Sequence, residues 1–234
     1  SSIAAGFANS AWERVQERRY RFQWSDRGAG ETLIEVTPDS RTIPSPKKEV
    51  AEWPMLSSEM DHSPRLFHRA RHEVEGFWTV EGNRVMLLSQ DTIIRFERLI
   101  LPYLQSAEKN SDPRTSWSGI DPQDQIVLWD AMAEAARKQF LGTGELVLIA
   151  SPDHWVDMSR NHLSMQGLGE IKKATKIDEN GGVELFLPAV LHPAIIVGRL
   201  LGCWERSEGR GAKANWSCSE AGHRITIKAR RDIA

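Results

Sequence analysis

Apolar and polar positions alternate where the chain first declares a structure. Tyr20, Phe22 and Trp24 are separated by Arg21 and Gln23, a period of two that predicts a strand. Asp26-Arg27-Gly28-Ala29-Gly30 is turn-forming, and Thr32–Thr37 resumes the alternation, so an antiparallel hairpin is expected near the N-terminus. Ahead of it, Ser10 with Glu13 three residues later has the form of a capping box, which predicts a helix starting there. Pro38, Pro44, Pro46, Pro54 and Pro64 then make residues 38–64 a long loop, read as an insertion or a segment that wraps a partner.

A short helical turn is expected over Pro64–Arg71, followed by a hairpin of Glu73–Val80 and Arg84–Leu88 around Glu81-Gly82-Asn83. Ser89–Thr92 caps a helix whose Ile93, Ile94, Phe96, Leu99, Ile100 and Tyr103 recur at helical spacing until Pro102 and the polar run 106–116. Asp121-Pro122 starts the best-defined helix, with Leu128, Met132, Ala135, Ala136 and Phe140 on one stripe before Gly142 and Gly144.

The last ninety residues read mostly as β. Glu145–Ala150 has the composition of a buried strand. His154–Met158 suits either a strand or the start of a helix running to Met165. Ala174–Asp178 and Val183–Leu187 flank the turn Glu179-Asn180-Gly181-Gly182, and Pro188 and Pro193 bracket a turn before Ile195–Val197. Ala214–Cys218 and Arg224–Lys228 form two more alternating strands. The fold class is α+β: several antiparallel hairpins with two to four helices, mostly β in the C-terminal third. A division into residues 1–110 (hairpins, Pro-rich loop, helix) and 111–234 (helix, then antiparallel β) is expected, with a single domain as the alternative.

The hairpin at 174–188 and the one at 78–88 share a format, strand, turn with acid, glycine and asparagine, strand. The first of these, which ends on Pro188, resembles the strand–turn–strand–proline element of the AbrB and MraZ transcription-factor families over about fifteen residues. That resemblance implies DNA binding through paired, swapped hairpins. It departs from the pattern in carrying Gly182 where those families usually have a basic turn residue.

Composition narrows the function classes. Thirty Lys and Arg against 32 Asp and Glu leave a net charge of −2, so no bulk attraction to a polyanion is built in. No run approaches the roughly 20 apolar residues of a membrane span, and Ser1–Phe7 lacks the basic and apolar regions of a signal peptide. Two cysteines, Cys203 and Cys218, are too few for a disulfide scaffold or a four-cysteine zinc site, which favours a cytoplasmic setting. Nine tryptophans against two tyrosines are spread along the chain, a distribution that favours core anchors over one stacking surface.

Candidate chemistry is sparse. His68 and His72 would share a helical face, but Arg69 and Arg71 beside them disfavour a metal ion, and no metal or cofactor site is expected. Asp153, His154, Asp157 and His162 offer two acids and two imidazoles at a spacing that matches no hydrolase or zinc motif. Nucleophile-elbow and phosphate-loop signatures are missing, and the two cysteines suit a core, so no motif supports an enzyme.

Arginine mixed with aromatic residues is the more informative feature. Arg18, Arg19, Arg21 and Trp24 form one patch, and Arg69 and Arg71 a second. Arg210, Lys213, Arg224, Lys228, Arg230 and Arg231 form a third. Guanidinium with indole suits phosphate contact plus base stacking, whereas neighbouring acids such as Glu13, Glu17, Glu73, Glu205 and Glu208 suit simple ion pairing. The leading expectation is a non-enzymatic subunit of a larger assembly that binds DNA or RNA through these residues and contacts other protein subunits, not a membrane. Two alternatives stand beside it: a Trp-rich docking module, and a small-molecule enzyme or sensor with its site near Asp153–His162.

Overall fold

The computed structural model describes residues 2–28, 31–45, 68–74, 76–86, 88–104 and 112–230. Most of the Pro-rich loop, the first half of the turn expected at 64–71, Trp53 and Arg231 lie outside the described residues, and Ala70 and Arg71 of that turn belong to a strand instead. The chain divides into two units, Ser1–Glu49 and Val50–Ala234. Five helices and ten strands among the described residues make the class α+β, as the pattern predicts.

In the first unit, α1 spans Ser2–Gln16, so Ser10 is a helix interior residue and not the expected N-cap. Helix-compatible residues upstream extend it, and Ala5 is fully buried. Glu13 has a different task from the capping box. Buried, its carboxylate accepts the Tyr20 N–H (2.8 Å) and Arg19 (2.7 Å), which ties the helix to the next strand. Strands β1 (Tyr20–Gly28) and β2 (Glu31–Pro38) form the expected hairpin, with Phe22 opposite Val36 and Trp24 opposite Ile34.

The second unit begins with a small antiparallel sheet of β3 (Ala70–His72), β4 (Trp78–Val80) and β5 (Asn83–Val85). The turn at Glu81-Gly82 is where the sequence puts it, but no strand starts at Glu73. That residue closes a turn instead, its N–H donating to the Phe77 carbonyl (2.8 Å) and its carboxylate accepting the Thr79 hydroxyl (2.5 Å). Helix α2 (Gln90–Ile100) starts after Ser89 as expected, and Pro102 sits inside a following 3-10 turn, Leu101–Tyr103, without ending the helical path.

The main sheet has five strands in the order β6-β9-β10-β8-β7: β6 (Thr115–Trp117), β7 (Lys173–Lys176), β8 (Val183–Leu187), β9 (Ala212–Ser219) and β10 (Gly222–Ala229). All neighbours are antiparallel except β6 with β9. β7 and β8 are the hairpin likened to a swapped DNA-binding element, and here β8 takes β10 of the same chain as its second neighbour. One sheet face carries Trp216, Ile225, Ile227 and Leu185 into the core, and the other exposes Lys213, Asn215, Arg224 and Lys228.

Helices α3 (Gln123–Gly142) and α5 (Pro193–Glu208) supply the other side of that core. α5 takes in Ile195–Val197, within a stretch read as mostly β, and the turn read between Pro188 and Pro193 precedes it. Pro193 is its first residue rather than a breaker, and His192 is its N-cap, with Nδ1 accepting the Ala194 N–H (3.1 Å). Eleven of its sixteen residues are buried, so it is apolar nearly all round and shows no amphipathic period to read. Helix α4 (Pro152–His162) packs beside β7 and realises the helical alternative for His154–Met158.

Residues 145–150 are extended but pair with no strand. Leu146 and Leu148 point outward, 93% and 82% exposed, while Val147 and Ile149 lean on the core. The period of two is real, but it is met without a partner strand among the described residues. Side chains of α5 hold the segment instead, Arg206 donating to the carbonyls of Leu141 and Glu145, and Ser207 to that of Ile149.

Candidate functional site

The expected nucleic-acid residues divide between the two units: Arg18, Arg19, Arg21 and Trp24 belong to the first, and the other described ones to the second. Carboxylates engage most of them: Arg19 with Glu13, Arg21 with Asp39, Arg69 with Glu81, Arg210 with Glu208, Arg224 with Glu184, and both Lys213 and Arg230 with Asp112. Hydrogen bonds from Arg41, with Arg21 adding to them, hold the Asp39 carboxyl well below the usual carboxylate range. Arg18, Arg71 and Lys228 make no ion pair among the described residues.

The histidine clusters also come apart. His72 lies in β3 with its ring edge against Trp78 at 5.3 Å, so the expected shared helical face with His68 is not formed. On α4, His154 Nδ1 accepts the Ala150 N–H (3.0 Å), whereas His162 faces Glu145 (3.5 Å) two turns further on. Asp157 pairs with Arg160. Among the described residues no group of three or more His, Cys, Asp or Glu is placed to hold a metal.

The N-terminus of α4 nevertheless borders a concave site. A cleft of about 340 Å³ lies between Ser151, Pro152 and Trp155 of α4, the β7–β8 turn, and the end of α5. Trp155 and Trp204, both almost fully buried, bring two indoles to its lining. Gly181 and Asn180 form a wall fixed by hydrogen bonds. The Asp178 carboxylate accepts the N–H groups of Asn180 (2.9 Å) and Gly182 (2.7 Å), the Trp204 Nε1–H donates to the Gly181 carbonyl (2.8 Å), and Arg210 donates to the Asn180 carbonyl (2.6 Å). Gly181 holds a positive φ of 75° in that turn, where a side chain would be strained.

The rim is polar and balanced, with Lys176 on Glu179 (2.5 Å) and Arg210 on Glu208 (3.3 Å). Arg210 also spreads over the Trp204 ring at 5.4 Å. Trp204 and Ser207 carry no signal of this cleft in the sequence, because α5 brings them to it. The Asn180-Gly181 turn is legible there, and Arg210 is a candidate residue, though for a nucleic acid.

No family model matches the chain, and no curated protein matches it. Among solved structures, one similar chain is the phenol-responsive sensory domain of the transcription activator PoxR, solved with phenol. The alignment covers 74% of this chain and 92% of that one, at 13% identity and a TM-score of 0.42.

The core of the second unit is rich in indole and imidazole. Trp129 packs edge-on against Trp117 (5.2 Å), Trp216 (5.5 Å) and His192 (5.5 Å). Trp216 donates through Nε1 to His223 Nδ1 (3.3 Å). Five of the eight described tryptophans are buried, which fits the anchor role expected of them; Trp12, Trp24 and Trp78 are exposed. Burial likewise pushes the Cys203 thiol up to about 12, an inert core thiol.

His223 gives this core a pH signature. Burial depresses its pKa to about 4 from the ordinary 6.5, so the folded chain refuses a proton that the unfolded chain accepts. Its contribution is therefore complete above pH 6.5, falls on acidification towards pH 4, and is level below that. The loss should reach about 3 kcal/mol. Urea unfolding of the parent and of His223→Gln across that range checks it, since the variant should lose this slope.

No helix of the described residues is long and apolar enough to cross a membrane.

Proposed function

We propose that the second unit is a small-molecule-binding module, a sensor or carrier, whose ligand occupies the cleft between α4, the β7–β8 turn and the end of α5. The observation that carries this reading is the combination of two buried indoles with a balanced polar rim in one concave site. Its volume lies within the range of about 300–1,000 Å³ typical of ligand pockets. The indoles suit a flat apolar body, and the Ser151 and Ser207 hydroxyls and the Arg210 guanidinium suit one or two hydrogen-bonding substituents. The module thus corresponds in location to the alternative site near Asp153–His162, although the residues that line it are largely different ones. The arginine patches offer a nucleic acid less, since carboxylates engage most of their described cations.

Indole and 4-hydroxybenzoate serve as flat probes, one neutral and one anionic. Titrated into the ¹⁵N-labelled chain, at least one is expected to bind with a Kd of about 0.1–1 mM, shifting the side-chain N–H signals of Trp155 and Trp204. Ser207→Phe, which fills the cleft from its rim, should abolish those shifts while leaving the spectrum folded. Shifts that never saturate, or that persist unchanged in the filled variant, would overturn the reading.

A further inference from the structure

A second concave site lies where β10, the start of β9 and the segment before β6 meet. Arg114, Arg210 and Arg230 line a pocket of about 340 Å³ over the Gly211 backbone. Three guanidiniums around one cavity are costly unless matched by negative charge, and the ion pairs here match them only in part.

Arg114 bonds Glu205 at 2.8 Å, but Glu205 is shared with Arg137 (2.5 Å) and also accepts the Ala212 N–H (2.9 Å). Arg230 bonds Asp112, which is shared with Lys213 (3.3 Å). Glu134 serves Arg137 (2.7 Å), Lys138 (3.5 Å) and, more distantly, Arg114 (4.0 Å). Glu208 holds Arg210 at 3.3 Å. Among the described residues six cations thus share four carboxylates. Asp130, which lines a neighbouring pocket with Arg114, joins no ion pair among the described residues and is held by Thr115 (2.5 Å) and Trp117 (2.8 Å). Within the same group, Arg210 Nη1 is shielded from solvent and has no hydrogen-bond partner. A buried donor without a partner is a position at which an acceptor is missing.

We propose that Arg114, Arg210 and Arg230 form a binding site for a phosphate dianion, inorganic phosphate or the terminal phosphate of a monoester. The cation excess fits a charge near −2, and planar guanidinium forks suit tetrahedral oxyanions bidentately. The backbone keeps the three together: the Arg230 N–H donates to the Gly211 carbonyl (2.8 Å), and the Ala214 N–H to that of Arg114 (2.8 Å). This site adjoins the aromatic cleft through Arg210, which lines both, whereas Arg114 and Arg230 line only this one.

Calorimetric titration of the intact chain with inorganic phosphate at low salt tests the proposal. Saturable binding is expected, weakened about tenfold in Arg230→Gln and in Arg210→Gln. Arg230→Lys, which keeps the charge and loses the fork, should fall between. Arg224→Gln, on the outer sheet face, should bind as the parent does. No binding of phosphate, or binding that both glutamine variants leave unchanged while remaining folded, would overturn it. A parallel titration with a single-stranded oligonucleotide lacking terminal phosphates separates the sources. Binding of that oligonucleotide with none of phosphate would overturn the dianion and assign the arginines to a phosphodiester backbone.

Discussion

Glu97→Ala is expected to destabilise the second unit by about 3–5 kcal/mol, the cost of breaking a buried, hydrogen-bonded charge cluster. Glu97 is a buried carboxylate on α2. One oxygen accepts the Trp129 Nε1–H (2.8 Å) and the Gln125 amide (3.1 Å), and the other meets His192 Nε2 at 3.2 Å. Because His192 Nδ1 accepts the Ala194 N–H, the ring proton resides on Nε2 and points at the carboxylate. One side chain therefore couples α2, α3 and the N-cap of α5. Burial opposes its ionisation, but the hydrogen bonds from His192 and Trp129 outweigh burial and hold its pKa below the ordinary 4.5.

The pH dependence follows from that sign. A carboxylate with a lowered folded pKa contributes stability that is complete above its unfolded value and disappears as the pH falls through its folded value. Glu97 thus acts at a lower pH than His223, whose contribution is lost between 6.5 and 4. Glu97→Gln keeps the shape and one acceptor and should cost less than alanine, about 1–2 kcal/mol. Equilibrium urea unfolding of both variants at pH 7 checks the order. A loss for alanine under 1 kcal/mol would mean that the cluster contributes little to stability.

What was legible in the sequence was what local chemistry decides. Ser89 before α2, the turns at Glu81-Gly82 and Asn180-Gly181, and the alternating strands β9 and β10 each carry their signal within a few residues. α5 was illegible for a physical reason. A helix buried on nearly all sides has no polar face, and Ile195-Ile196-Val197 after a proline reads equally well as strand. The segment at 145–150 failed in the opposite way, because alternation says which side chains turn inward and not whether a neighbouring strand is there to pair. The aromatic cleft depends on both regions: Trp204 and Ser207 come from α5, and Ile149 and Ala150 from the extended segment. Trp155 and its helix stood near one candidate that the residues suggested, and Arg210 was itself another, suggested for a different ligand.

The contact that positions α5 supplies the second large prediction. Gly198 lies where α5 crosses α3, and a Cβ placed on it would run into the carbonyl of Ala133, with the Ala133 Cα at 2.8 Å. Those are backbone atoms of a helix and cannot swing aside as a side chain can. Gly198→Ala should therefore force the helices apart at a cost of about 3 kcal/mol or more, the upper end for overpacking, despite the roughly 1 kcal/mol that alanine gains in helix propensity. For a unit of this size that corresponds to a melting temperature lower by about 6–12 °C. One turn later, Gly202 meets chiefly the Phe140 ring, at 2.9 Å, and the Arg137 carbonyl at 3.2 Å. A ring can yield, so Gly202→Ala should cost less. Gly142, at the end of α3, meets nothing within 4 Å, and its alanine variant should be neutral or slightly stabilising. Thermal melts of the three variants separate steric collision from propensity. If Gly198→Ala melted with Gly142→Ala, the close approach of α3 and α5 would be wrong, and with it the placement of Trp204 in the cleft.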